Sequence, residues 1–167
     1  WMSDSKAPGD RVALGRIDAG IDISNASYVV VDGIAIRNAG TGIRMKKASN
    51  VTLRDLTIED VLGMGVDATQ SVAVDIGTSK FARTGGAAIS GIDLGYSLSN
   101  FSVHDNDISE SGVVLDGNKV TSLPADVIAA VQPGAIATIT RNRIQGASYS
   151  GIIPLNNSVV SDNYVEN

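Results

Sequence analysis

Residues 27–61 read SYVVVDGIAIRNAGTGIRMKKASNVTLRDLTIEDV, and the way this stretch repeats itself decides the fold. YVVVDGIAI ends on Ile36 and NVTLRDLTI on Ile58, each an alternating run that meets a polar turn and then one apolar residue. In the second copy Val51 and Leu53 alternate with polar neighbours, and Leu56 and Ile58 do so again after the bend. A period of two marks a strand with one buried face, and helical spacing is missing.

The phrase recurs along the chain. SVAVDIGTSKF, FSVHDNDI, AIATITRNRI and SVVSDNYV carry the apolar marker to Phe81, Ile108, Ile144 and Val165, so that the spacings from Ile36 onward are 22, 23, 27, 36 and 21. A second marker, a glycine opening a short alternating run, stands at Gly20 (GIDIS), Gly42 (GIRMK), Gly65 (GVDAT), Gly91 (GIDLG), Gly112 (GVVLD) and Gly151 (GIIPL), with spacings of 22, 23, 26, 21 and 39. Two markers that keep step at about 22 residues define a solenoid repeat. Leucine-rich repeats share that period but need a leucine framework this chain lacks, so the repeat predicts an all-β parallel β-helix of about six coils. Its 18 glycines are assigned to turns needing positive φ. One short helix is expected in PADVIAAV, residues 124–131, stopped by Pro133 and Gly134. The excess of the 39-residue interval, residues 116–134, is read as an insertion loop that walls a groove or covers apolar surface near Val114.

The 167 residues suit a single domain, 1–167, with residues 1–19 as an N-terminal cap. The last repeat stops in mid-phrase at NYVEN, from which a longer protein, or self-association through open solenoid ends, is expected. Thirteen Lys and Arg against 18 Asp and Glu leave a net charge of −5, which argues against a nucleic-acid partner. Cysteine is absent, so thiolate chemistry and disulfides are excluded. No apolar run approaches the roughly 20 residues of a membrane span. No signal peptide is visible in WMSDSKAPGD, and the compartment stays open on these grounds.

On SYVVVDGIAIRNAG, TGIRMKKASNVTLRDLTIEDV, NFSVHDNDISESG and ITRNRIQGASYSGI the chain resembles the right-handed parallel β-helix proteins of the pectate-lyase-like superfamily, over roughly residues 20–167. The resemblance implies right-handed winding, an extracellular or cell-surface setting, and binding or cleavage of a polysaccharide by hydrolysis or by uronate elimination. That superfamily also contains non-catalytic surface proteins, so an adhesion or structural module is the alternative. No lyase signature matches.

Stacking the glycine-led strands with Ile21 and Ile23 inward puts Asp22, Arg44, Asp67, Asp93 and Val114 on one outward ladder, and Ser24, Lys46, Thr69, Gly95 and Asp116 on the next. Asp67, Asp93 and Asp116 are the candidate catalytic carboxylates, because neighbours about 5 Å apart raise one another's proton affinity and one can stay protonated as acid. The same oxygens suit a calcium ion. Asp22, Arg44 and Lys46 are the candidate substrate-binding residues. Lys46, inside the basic stretch Arg37, Arg44, Lys46, Lys47 and Arg54, is also the candidate base for elimination. The plainer reading makes Asp22, Arg44 and Asp67 an alternating-sign ladder that supports stacking. His104, the single histidine, falls on a different sheet as a turn residue. Asn106, Asn142 and Asn163 share one turn position, where their amides are expected to stack.

Overall fold

The computed structural model describes residues 17–91, 100–116, 119–122, 126–129, 137–147, 150–154 and 157–166. Three parallel sheets run side by side, each six strands deep, and between the first and last strand of a sheet the chain makes about five turns. The first sheet contains β1 (Ile17–Asp22), β4 (Ala39–Arg44), β7 (Val66–Asp67), β10 (Ile89–Ser90), β15 (Asp126–Ala129) and β18 (Ser150–Ile153). The second contains β2 (Ser27–Asp32), β5 (Ser49–Arg54), β8 (Val72–Gly77), β11 (Phe101–His104), β16 (Ala137–Thr140) and β19 (Val159–Ser161). The third contains β3 (Ala35–Arg37), β6 (Thr57–Val61), β9 (Lys80–Thr84), β12 (Asp107–Ser109), β17 (Arg143–Gln145) and β20 (Tyr164–Glu166). The described residues include no helix.

The apolar marker forms one unbroken inward row on the third sheet: Ile36, Ile58, Phe81, Ile108, Ile144 and Val165 pair in register. Rows such as Val31, Leu53, Ile76, Val103, Ile139 and Val160 on the second sheet face it across the interior. Both phenylalanines, Phe81 and Phe101, are fully buried in the middle coils. Each such side chain contributes about 1.5–3 kcal/mol on leaving water.

The two sequence markers touch. A Cβ on Gly20 would lie 2.5 Å from Cγ2 of Ile36, on Gly42 2.7 Å from Cγ2 of Ile58, on Gly65 2.9 Å from Cδ1 of Phe81, and on Gly151 2.7 Å from Cγ1 of Val165. None of these four glycines has positive φ, a conformation found at Gly33, Gly112 and Gly146. The assignment of the glycines to left-handed turns is thereby corrected for these four, while Gly112 keeps it. The four are glycine because the apolar marker of the same coil occupies the space of a side chain.

Left-handed backbone is carried mostly by other residues, at the corners. Asn25, Lys47 and Gln70 form one such row, Asp55, Thr78, Asp105, Arg141 and Asp162 another, and Asn38, Asp60, Arg83 and Glu110 a third. Asn and Asp dominate because their short polar side chains tolerate this region. In the row Tyr28, Asn50, Ala73 and Asn100, Ala73 has φ 53° and no polar side chain to ease it. Ala73→Asn is therefore expected to add about 0.5–1 kcal/mol and to raise Tm by about 1–4 °C in a thermal melt; no rise would mean the corner is unstrained.

Asparagine stacks at the turn between the second and third sheets. Asn106 donates from N and Nδ2 to Asn142 Oδ1 at 3.1 and 2.9 Å, and Asn142 donates from N and Nδ2 to Asn163 Oδ1, both at 2.9 Å. Upstream, Ser79 N donates to Asn106 Oδ1 at 3.0 Å and Leu56 N to Ser79 Oγ at 3.1 Å, so a serine continues the ladder.

Register departs from expectation in the fourth coil. Val66 pairs with Ile89 and Asp67 with Ser90, so Ala88, not Gly91, takes the glycine position, 23 residues after Gly65. Ile89, fully buried, fills the inward slot beside Val66, and this burial sets the register. The Gly112-led run is not a coil strand: β13 (Val113–Asp116) pairs antiparallel with β14 (Lys119–Ser122) as a separate hairpin, whose first strand lies alongside β6 and β9. The expected helix is also corrected. Asp126–Ala129 is β15, with Ile128 paired to Ile89 on one side and Ile152 on the other. An isolated eight-residue helix is marginal, whereas two parallel neighbours offer Val127 and Ile128 a complete ladder. The extra length thus precedes residue 126, instead of filling 116–134.

Candidate functional site

In register with Asp22 the first sheet carries Arg44, Asp67, Ser90, Ala129 and Ile153; Asp22, Arg44 and Asp67 reach the surface, and Ser90 is buried. Asp22 Oδ1 accepts from Ser24 N at 2.9 Å and from Ser24 Oγ at 2.6 Å. Two coils on, Asp67 Oδ1 accepts from Thr69 N at 3.2 Å and from Thr69 Oγ1. The coil between them has cations at the same two places, Arg44 and Lys46, and Lys46 N donates to Ser24 Oγ at 3.2 Å. Arg44 Nη1 lies 2.7 Å from Asp18 Oδ2 and 3.6 Å from Asp22 Oδ2. Two carboxylate–hydroxyl turns therefore flank one cationic rung. Sequence reasoning missed Asp18 and the turn motif itself, although Asp-x-Ser and Asp-x-Thr at 22–24 and 67–69 carry its signal.

The electrostatics set what these carboxylates can do. The hydrogen bond from Arg44, and then its charge, hold Asp18 below the usual carboxylate range. Asp22 is lowered chiefly by the two hydrogen bonds from Ser24, with Arg44 a smaller cause. Arg44 is raised in turn, first by its hydrogen bond to Asp18. Asp18 and Asp22 are ionised at neutral pH and suit positioning and binding; a general acid needs a proton to give.

Ser90, not Asp93, stands beside Asp67, and Asp93 lies outside the described residues. Asp116 closes β13 opposite Lys119, on the hairpin, because the chain leaves the coil there. Among the described residues no group of three or more His, Asp or Glu side chains converges to hold a metal ion.

The basic stretch is dealt to three faces. Arg37 goes to the third sheet, where its Nη2 lies 3.0 Å from Glu59, Arg44 to the first with Lys46 in the turn that follows, and Arg54 to the second, 2.8 Å from Asp32. Glu59, whose side chain is almost fully buried, also meets Lys80 at 3.4 Å and Arg83 at 3.6 Å. Arg83 grips Asp60 through two hydrogen bonds of 2.6 and 3.0 Å. These contacts tie coil to coil on the third sheet.

His104 lies on the second sheet, with Nδ1 2.7 Å from Asp105 Oδ2 and Nε2 3.1 Å from Asp75 Oδ1. Gly77 makes room for the ring, since a Cβ there would come within 2.8 Å of Nε2. Arg141 donates to Asp105 from Nε and Nη2 at 2.8 and 2.7 Å. Arg141 first, then His104, lower the Asp105 pKa from 3.8 to about 2. A depressed carboxylate stabilises the fold above its unfolded pKa, and that contribution is lost as pH falls through the folded one. Acid titration should therefore show stability declining between pH 3.8 and about 2, a decline that Asp105→Asn flattens; an unchanged profile in that variant would exclude Asp105 as its source.

The family model described as "Right handed beta helix region" matches residues 15–123. No curated protein and no solved structure matches the chain.

Proposed function

Because the chain belongs to the right-handed β-helix family, we propose that it is a carbohydrate-polymer-binding module whose ligand lies along the stack on the outer face of the first sheet. One observation carries this reading: polar side chains pre-oriented by hydrogen bonds recur on successive coils, Asp22 with Ser24, then Arg44 with Asp18, then Asp67 with Thr69. Equivalent positions on neighbouring coils are about 4.8 Å apart, so an extended polymer meets a periodic set of partners. Preorganised side chains lose little entropy when they bind. Asp22, Arg44 and Lys46 contact the sugar in this reading.

Cleavage is the second reading. It needs a protonatable carboxyl opposite an ionised one, with Asp93 and Asp116 as the candidates to join Asp67. Asp18 and Asp22, held ionised, do not supply its acid. Retention on a panel of immobilised polysaccharides, with reducing ends and the ultraviolet absorbance of unsaturated uronates followed in parallel, separates the two. Retention by at least one polymer is expected, weakened about tenfold in Arg44→Ala, with no product. Product that vanishes in Asp67→Asn would establish an enzyme instead, and retention by no polymer would remove the carbohydrate reading altogether.

A further inference from the structure

The corner between the second and third sheets, which does not border the first, carries a shallow depression of about 390 Å3 lined by Arg141, Asn142, Arg143, Asp162 and Tyr164. Arg141 commits Nε and Nη2 to Asp105, which leaves Nη1 available. Arg143 stands between Asp107 and Tyr164 on the outward row of the third sheet. Among the described residues it makes no hydrogen bond or ion pair, though its charge reaches Glu166. The Tyr164 ring is 56% exposed, and its hydroxyl donates to Glu166 Oε2 at 3.2 Å, which fixes the ring's position. Asn142 forms the floor, its amide already engaged in the asparagine ladder.

We propose that this depression binds a sugar ring carrying a single sulfate ester. Two guanidinium groups approach from different elements, a left-handed corner and a strand. A tetrahedral oxyanion offers oxygens in several directions to such donors, whereas a planar carboxylate is satisfied by one guanidinium fork. Asp105 and Asp162 offset Arg141, and Glu166 is within reach of the Arg143 charge, so the corner selects one local anionic group and not a polyanion. The exposed phenol face gives the ring that bears the ester an apolar platform one rung, about 4.8 Å, from Arg143.

The test is an NMR titration of the whole chain with glucose 6-sulfate, inorganic sulfate, glucose and glucuronate. Glucose 6-sulfate is expected to saturate shifts at residues 141–143 and 164, about tenfold more tightly than each of the other three. Arg143→Gln and Tyr164→Ala should each weaken it about tenfold with the fold unchanged, and Tyr164→Phe, which keeps the ring, should not. Arg44→Ala should leave it intact, which separates this corner from the polymer face. Glucose 6-sulfate binding no more tightly than inorganic sulfate would show an adventitious ion only. That result, equal or tighter binding of glucuronate, or failure to saturate would each overturn the proposal.

Discussion

Asn142→Ala is expected to cost about 3 kcal/mol and to lower Tm by about 6–12 °C. Asn142 is 1% exposed, and every polar atom of its amide is used. Its Nδ2 donates to the Val103 carbonyl at 3.0 Å, the Thr140 carbonyl at 3.2 Å and Asn163 Oδ1, while its Oδ1 accepts twice from Asn106. Truncation strands the Asn106 backbone N–H and removes a donor from Val103, and a buried group left without a partner loses about 1–3 kcal/mol. Asn142→Asp keeps the shape but loses the donors and buries a charge. Burial raises the pKa of that new carboxyl in the folded state, so its penalty is largest above this pKa and shrinks as pH falls. Denaturant melts of both variants across pH check this; a loss under about 0.5 kcal/mol for Asn142→Ala would show that the ladder is decoration on a stack held by other contacts.

Gly42→Ala should be of similar size for a different reason. The added Cβ meets Cγ2 of Ile58 at 2.7 Å and the Gly65 carbonyl at closer range still, and the carbonyl belongs to backbone that cannot swing away. Overpacking of this kind costs about 3 kcal/mol, the upper part of its range. Gly33→Ala is the matched comparison: Gly33 has φ 67° and nothing within 4 Å, so only backbone strain of about 1 kcal/mol is expected. Equal losses in the two would mean that conformation, not close approach, makes the repeat glycines necessary. Ala88 shows how the rule is relaxed. It occupies the same row, but its coil's marker, Ile108, follows after 20 residues, where 16 separate Gly42 from Ile58.

Much of this was legible in the chain because a solenoid writes its contacts at fixed offsets. The apolar markers from Ile36 to Val165 pair rung for rung as their spacing indicates, and the three asparagines stack as their shared position indicates. His104 likewise takes the place equivalent to Arg54 and Thr140. The phrase that ends on the apolar marker is recognisable by itself, so Ile108 and Ile144, Asn106 and Asn142, and His104 and Thr140 match although each pair is 36 residues apart across the added length.

Counting failed where length was added. After Gly65 two runs compete for the next place on the first sheet, and periodicity gives Gly91 and Ala88 similar standing. Burial of Ile89 between Val66 and Ile128 decides for Ala88, which puts Ser90 beside Asp67. The run after Gly112 alternates as well as any coil strand, yet it folds back on Lys119–Ser122. Alternation reports that one face is buried, not which neighbour buries it. The sequence by itself therefore determined the β-helix, its period and its inward rows, since these depend on local spacing and apolar identity. Spacing also placed Arg44 between Asp22 and Asp67, whereas tertiary structure alone decided the other groupings of outward charge: Asp18 with Arg44, the Glu59 cluster and the Arg141–Arg143–Tyr164 corner. Outward side chains gain little from any one register, so their company is set by how the buried rows pack.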